Sequence, residues 1–109
     1  MKRLLVVIKT NLHRMSNSEV FLVACAEFLS KILDVDSKNI VIELHTKVMI
    51  MRDGNNIEAM NFDIHHNTDK INKSTKVELS EKIAKFVYEK LDIHRDRTLV
   101  LFFDTRCCS

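Results

Sequence analysis

Residues 21–35, FLVACAEFLSKILDV, decide how the rest of the chain is interpreted. A second stretch, LSEKIAKFVYEKLDI at residues 79–93, pairs with the first when the chain is shifted by 58 positions. Identical residues coincide, including Leu33-Asp34 with Leu91-Asp92, and the apolar positions at helical spacing share one register. This shared register predicts an internal repeat that covers roughly residues 4–46 and 62–104 of a single domain, 1–109.

Each half of the repeat is predicted to fold as strand, helix, strand, because short β-rich apolar runs flank a stretch with helical periodicity. The predicted strands are Leu4–Lys9, Ile40–His45, Phe62–His66 and Leu99–Phe103. Ser16-x-x-Glu19 and Thr75-x-x-Glu78 have the form of capping boxes and are expected to begin the two helices. Between the halves, Lys47–Met51 predicts a short additional strand, and Arg52–Asn56 predicts a turn that carries the single glycine.

The fold class that follows is α+β, a four-stranded sheet with two helices on one face. The two strands of each unit are expected to be parallel, joined by a right-handed crossover. Because two helices cover only one face of such a sheet, alternate residues such as Val41, Leu99, Leu101 and Phe103 are expected on the other face. That face is too apolar to remain in water, so the pattern predicts self-association.

Composition excludes several classes of protein. The 109 residues include one glycine and no proline, which rules out collagen-like, proline-rich and linker sequences. The formal net charge is +2, with both signs spread along the chain, and Lys70, Lys73 and Lys76 are not interleaved with aromatic residues. We therefore expect no nucleic-acid partner. The apolar run that begins at Leu4 is too short to span a bilayer, so we also expect no membrane insertion.

The candidate metal ligands and cysteines do not form a recognisable site. Asp63 and His65 share one face of a predicted strand while His66 points to the other, which leaves too few ligands for zinc. Cys25 is expected to be a buried, inert thiol, and the adjacent Cys107 and Cys108 lack zinc-site spacing. We predict no metal and no cofactor, and the odd cysteine count argues against a disulfide framework.

Other histidines and the methionines are interpreted conservatively. The histidines His13, His45 and His94 lie near predicted element ends without a triad-like context. The methionines Met15, Met49, Met51 and Met60 are expected to fill the core and an interface, with an adaptable binding surface as the alternative.

The order and spacing of several segments resemble the tautomerase superfamily, and within it the macrophage migration inhibitory factor and D-dopachrome tautomerase group. The matching segments are Val7-Ile8-Lys9-Thr10-Asn11-Leu12, Phe21 through Leu33, Leu91-Asp92-Ile93, Asp96-Arg97 and Phe102-Phe103. The resemblance covers roughly residues 4–104. It implies a homotrimer whose three sheets line a central barrel.

The resemblance also implies a catalytic base, the secondary amine of an N-terminal proline, which this chain lacks. Alignment on Thr10-Asn11 places Leu4 at the proline position, after Met1-Lys2-Arg3. The family's lysine falls on Val35, and its tyrosine and asparagine fall on Leu99 and Leu101. We therefore predict no catalytic residues at these positions, all of which are unsuited to the chemistry.

The leading functional hypothesis is a non-catalytic protein of this group that acts by binding, as a cytokine-like, decoy or modulatory protein with a protein receptor or partner. A tautomerase with a relocated general base, the Met1 amine or the His65/His66 region, is the first alternative. A ferredoxin-like regulatory or interaction module is the second alternative. The sequence predicts a cytoplasmic protein, with export without a signal peptide as the other expectation.

Overall fold

The computed structural model describes residues 1–106 of the chain. Its elements are β1 (Leu4–Thr10), α1 (Ser18–Leu33), β2 (Ile40–His45), β3 (Met60–His66), α2 (Lys76–Leu91) and β4 (Thr98–Asp104). Short 3-10 turns at Ser37–Asn39 and Arg95–Arg97 lead into β2 and β4. The four strands and two helices of the predicted repeat are confirmed, with β2 at its predicted bounds and the other strands slightly longer.

The strands form one mixed sheet in the order β2-β1-β3-β4. Strand β1 is parallel to β2, β3 is parallel to β4, and the central pair β1 and β3 is antiparallel. The predicted parallel pairing within each half is therefore confirmed. The antiparallel central pair joins the two halves, so the fold is α+β with a four-stranded sheet.

One face of the sheet packs against both helices. Even-numbered strand residues such as Val6, Ile8 and Ile64 are fully buried, because successive side chains of a strand point to opposite faces. Helix α1 contributes Phe21, Cys25, Leu29 and Leu33 to this core, and α2 contributes Leu79, Ile83, Phe86 and Val87. The two helices also contact each other, since the Phe28 and Phe86 rings stack with centroids 4.5 Å apart.

The repeated Leu-Asp pairs end the two helices in the same way. Asp34 and Asp92 both adopt the left-handed conformation, at φ 53° and 58°, and each donates its N–H to a carbonyl of the preceding turn. Aspartate tolerates this conformation better than most residues because its short polar side chain can form local hydrogen bonds. Within residues 1–106, neither helix is long and apolar enough to cross a membrane.

The predicted capping boxes are wrong. Within the described chain, α1 begins at Ser18, and its N-cap residue Asn17 makes no side-chain capping hydrogen bond. Thr75 is the N-cap residue of α2, but its hydroxyl donates to the Lys70 carbonyl at 2.7 Å and accepts from the Asn72 N–H at 3.0 Å. The loop before α2 therefore takes the hydroxyl that was expected to cap the helix.

The predicted strand Lys47–Met51 is also wrong. Lys47 has a positive φ of 60°, which breaks the extended conformation directly after β2. The N–H groups of Lys47 and Val48 then donate to the carbonyls of Leu12 and Thr10, so this segment crosses the end of β1 instead of joining the sheet. The predicted turn is confirmed: Arg52 and Asn55 exchange two main-chain hydrogen bonds around Asp53-Gly54.

The second face of the sheet is open, and the predicted orientation of its residues is confirmed. Leu5, Val41, Leu99, Leu101 and Phe103 are between 39% and 56% exposed there. Register places three rows of four residues across this face, Val41-Leu5-His65-Phe103, Glu43-Val7-Asp63-Leu101 and His45-Lys9-Asn61-Leu99. We call these twelve residues the open face; it combines apolar side chains with a few charged ones.

The packing of α1 makes a first testable prediction. Leu29→Ala removes a side chain with no solvent exposure and should lower the free energy of unfolding by about 2–5 kcal/mol. Val23→Ala, on the outer surface of the same helix at 59% exposure, should change it by less than about 0.5 kcal/mol. Urea unfolding of both variants measures the difference, and equal losses would contradict the assigned packing face of α1.

Candidate functional site

The candidate site lies where β1 begins, because the resemblance assigns the catalytic nitrogen to this position. Leu4 is buried, and it pairs with Ile40 of β2 on one side and His66 of β3 on the other. Three residues precede it, of which Met1 is 85% exposed. The nitrogen of Leu4 is therefore a peptide amide within the sheet, and a peptide amide does not act as a base.

Asn67 holds the three residues before Leu4 in place. The N–H of Arg3 donates to Asn67 Oδ1 at 2.8 Å, and Asn67 Nδ2 donates to the Met1 carbonyl at 2.8 Å. These bonds extend the β1–β3 pairing beyond the last ladder residues. The exposed Lys2–Asp34 ion pair at 3.7 Å adds little. Sequence reasoning missed Asn67, and its position directly after a predicted strand was the one available signal.

A cavity of about 570 Å³ opens beside this segment. Its lining consists of Met1, Arg3, Leu4, Leu5, Asn39, Val41, His65, Asn67 and Thr105. The His65 ring stacks on Phe103, with centroids 4.9 Å apart, and so forms part of the open face as well. The cavity is of a size that accommodates small molecules, with an apolar wall and hydrogen-bonding groups at its rim.

His66, the next residue, points away from this cavity into the protein. It is 2% exposed, and its Nδ1 accepts a hydrogen bond from the Thr68 N–H at 3.3 Å. Burial is the main cause that lowers the pKa of this imidazole; Asp104 opposes the shift, while Arg106 and Lys76 reinforce it. Burial therefore favours the neutral form of the ring over the imidazolium.

Arg106 connects the end of β4 to the turn that follows β3. Its guanidinium contacts Asp104 through Nε at 3.1 Å and Nη2 at 3.0 Å, and Asp69 through Nη1 at 2.9 Å. The hydrogen bonds from Arg106 hold the pKa of the Asp104 carboxyl at about 2, and these two carboxylates raise the pKa of Arg106. Asp104 is thus committed to an ion pair at neutral pH.

The structure places the other candidate side chains apart from one another. Asp63 and His65 share the open face while His66 lies on the opposite face, as predicted. No group of three or more His, Cys, Asp or Glu residues with the spacing of a metal site occurs within residues 1–106. His45 lies 3.4 Å from Glu43, His94 accepts from the Asp96 N–H, and His13 lines a separate groove.

The Thr10-Asn11 pair fixes the loop that leads into β3. Thr10 Oγ1 donates to the Ala59 carbonyl at 2.7 Å. Asn11 donates to the carbonyls of Asn56 and Ile57 and accepts from the Ala59 N–H. A groove of about 770 Å³ is lined by Asn11, by Asn56 and Glu58 of the loop and by residues 47–51, among which Met49 is 99% exposed. Met51 is also exposed, whereas Met60 is buried in the core and Met15 packs against it.

Two arginines brace the same loop from the other side. The buried guanidinium of Arg97 donates to three carbonyls, those of Arg52, Ile57 and Glu58. Arg52 returns a hydrogen bond to the Arg97 carbonyl at 2.9 Å and donates to Asn61 Oδ1. All three partners of Arg97 are main-chain oxygens, so its role is structural. Sequence reasoning did not predict this brace.

The sequence matches one known protein family. The family model for macrophage migration inhibitory factor matches residues 4–109. The chain belongs to the macrophage migration inhibitory factor family. No curated protein sequence matches this chain.

Solved structures of family members share the fold at low sequence identity. A homologue of macrophage migration inhibitory factor from Prochlorococcus marinus superposes with a TM-score of 0.80 at 19% identity, over 90% of this chain and 85% of that one. The Trichinella spiralis protein gives 0.82 at 18% identity, over 92% and 88%. MIF2 from Leishmania major gives 0.78 at 14% identity, over 98% and 92%. Family membership replaces the alternative of a ferredoxin-like module.

The positions to which the resemblance assigns the family's functional residues carry apolar side chains. Val35 is buried in the core, and Leu99 and Leu101 lie partly exposed on the open face. Cys25 is buried as predicted, and burial raises the pKa of its thiol to about 12, so it is protonated at neutral pH. Cys107 and Cys108 lie outside the described residues.

The arginine brace makes a second prediction. Arg97→Met removes a buried guanidinium and its three hydrogen bonds to loop carbonyls, and it should lower the free energy of unfolding by about 1–3 kcal/mol. Arg14→Met, at an exposed position, is the matched control and should change it by less than about 0.5 kcal/mol. Urea unfolding compares the two variants. Similar values for both would show that the Arg97 contacts contribute nothing to the loop.

Proposed function

We propose that this protein is a non-catalytic member of the macrophage migration inhibitory factor family that acts by binding, as a cytokine-like, decoy or modulatory protein. One observation supports the proposal: the nitrogen at the position to which the resemblance assigns the catalytic proline is the peptide amide of Leu4, a buried residue that pairs with two strands. Its partner would be a protein receptor, met in the cytoplasm or after export without a signal peptide.

The chemistry of the base explains why this position matters. A secondary amine in an apolar pocket loses part of the hydration of its charged form, so its pKa falls and it accepts a proton near neutral pH. The lone pair of a peptide nitrogen is delocalised into the carbonyl and accepts no proton under these conditions. Met1, whose amine is the relocated base in the first alternative, lies three residues before Leu4 and is largely exposed.

A tautomerase assay tests the proposal. With phenylpyruvate or dopachrome, the purified chain should show no turnover above the rate in buffer alone, because the peptide amide of Leu4 accepts no proton. A family member that carries the N-terminal proline, assayed in parallel with the same substrates, serves as the positive control. Turnover by this chain comparable to that control would overturn the proposal.

A relocated base is the second candidate function, favoured by the presence of His65 in the same cavity as Leu4 and Met1. This alternative predicts measurable turnover that disappears with His65→Ala plus His66→Ala, or on acetylation of the Met1 amine. If turnover occurs and neither change affects it, the relocated base is rejected as well.

We also propose that the open face is the surface through which the chain forms a homotrimer. Five partly exposed apolar side chains lie together there, and they extend across all the strands except β3, where His65 stacks on Phe103. Exposed apolar side chains grouped on one face in this way, on β1, β2 and along β4, are typical of an interaction surface. Trimerisation would remove it from water.

The self-association proposal yields a test by substitution. Leu101→Asp places a carboxylate in the middle row of the open face, directly beside Asp63 in the register. Burial of this charge should weaken assembly, so sedimentation velocity should show a smaller species than the unchanged chain. Val23→Asp, on the outer surface of α1, is the control and should leave the sedimentation coefficient unchanged. Identical behaviour of both variants would contradict the assigned interface.

A further inference from the structure

The buried histidine His66 and the two residues that follow it form a hydrogen-bonded connection to the wall of the cavity at the start of β1. His66 is buried below the sheet, Asn67 binds the main chain of Met1 and Arg3, and Thr68 donates its N–H to the His66 ring. We call His66, Asn67 and Thr68 the latch.

We propose that the latch is operated by acid: protonation of the His66 ring releases the turn at residues 66–69, and with it the hold of Asn67 on Met1–Arg3. The cavity beside Leu4 then loses part of its wall, since Met1, Arg3 and Asn67 all line it. At neutral pH the latch is closed. This device is independent of whether the protein is catalytic.

The closed latch requires a neutral His66 ring. Nδ1 accepts the Thr68 N–H at 3.3 Å, so it carries no hydrogen in this arrangement. A proton at Nδ1 would place two N–H groups opposite each other and break the bond. The imidazolium would also be buried, since His66 is 2% exposed, and an uncompensated buried charge is unfavourable.

The charged groups around the ring do not compensate that charge. Asp104, its register partner on β4, is the one carboxylate that favours the imidazolium, but Arg106 already binds both oxygens of Asp104. Arg106 itself and Lys76 at the start of α2 both repel a positive ring. The rings of His66 and Phe102 are nearly perpendicular, at 81° with centroids 6.5 Å apart, and a phenyl ring has no atom that accepts a conventional hydrogen bond.

Hydrogen bonds of Asn67 and of the His66 carbonyl connect the ring to the cavity. Asn67 follows His66 directly, and its amide makes both hydrogen bonds to the N-terminal segment at 2.8 Å. The His66 carbonyl accepts from the N–H and the hydroxyl of Thr105, another residue of the cavity wall. Displacement of His66 therefore disturbs the cavity wall from two sides.

The direction of the pH effect follows from the lowered pKa of His66. The unfolded or released segment binds a proton near the ordinary histidine value of about 6.5, while the closed latch resists it. Stability of the closed latch is therefore complete above that value and is lost as the pH falls through it toward the lowered pKa of the folded state. Because one proton is involved, the equilibrium changes by at most about tenfold per pH unit.

Amide hydrogen exchange by NMR tests the latch in the full chain. Protection factors, corrected for the intrinsic pH dependence of exchange, are measured for the amides of Arg3 and Thr68 between pH 7.5 and 5.0. Both amides are donors in the closed latch, and their protection should fall up to about tenfold per pH unit below pH 6.5. The Ile8 amide, in the middle of β1, is the internal reference and should keep its protection. Constant protection of Arg3 and Thr68 across this range would overturn the proposal.

Neighbouring histidines provide a matched pair of variants. His66→Asn keeps a side-chain acceptor for the N–H two residues later but cannot titrate in this range, so it should abolish the pH dependence. His65→Asn removes the adjacent ring on the opposite face and should retain it. A pH dependence that persists in His66→Asn would overturn the proposal.

A third measurement covers the case in which His66→Asn fails to fold. The His66 ring in the unchanged chain, followed by its NMR shifts, should titrate below the ordinary histidine value of about 6.5, and the loss of Thr68 protection should fall between about 6.5 and that titration midpoint. A loss of protection outside this interval, or a ring that titrates at the ordinary value, would reject the mechanism. None of these readouts involves turnover, so failure of the latch and failure of the proposed non-catalytic function are distinguishable.

Discussion

The structure depends on one geometric constraint, which is that two helices of 16 residues cover a single face of a four-stranded sheet. Strand periodicity then divides the side chains strictly. Val6, Ile8 and Ile64 enter the core below the helices, while Leu5, Leu101 and Phe103 point to the other side. The helices of one chain cover the core, but no element of the described chain covers the open face. This difference between the two faces is the basis of the proposed assembly.

Much of this arrangement could be predicted because it arises from periodicity and from the register of the two halves. Local side-chain chemistry was harder to predict. Thr75 has the sequence of a helix cap, yet its hydroxyl binds the preceding loop, and Lys47 leaves the extended conformation although its neighbours favour a strand. In both cases a hydrogen bond to a loop or strand-end carbonyl overrides the local preference. The pattern of the few residues around each position does not reveal that partner.

At the candidate site, too, the position of a residue in the fold could be predicted but its hydrogen-bond partners could not. The place of Leu4 followed from alignment on Thr10-Asn11, and the structure puts Leu4 at the first position of β1. The roles of Asn67 and Arg97 depend on main-chain atoms far away in sequence, such as the Met1 and Arg52 carbonyls. Only the folded chain brings these groups together, so their partners were not visible in the sequence.

The polar side chains of this family member hold backbone in place. Asn67 fixes the N-terminal segment, Arg97 braces the loop before β3, and Arg106 ties the end of β4 to the turn after β3. This distribution agrees with a scaffold that is kept for binding and assembly, and the central claim is that copies of the chain cover the open face. Sedimentation equilibrium at micromolar concentration tests it most directly. We expect a species of three times the chain mass of 12.7 kDa, and a monomer of 12.7 kDa would contradict the proposed assembly.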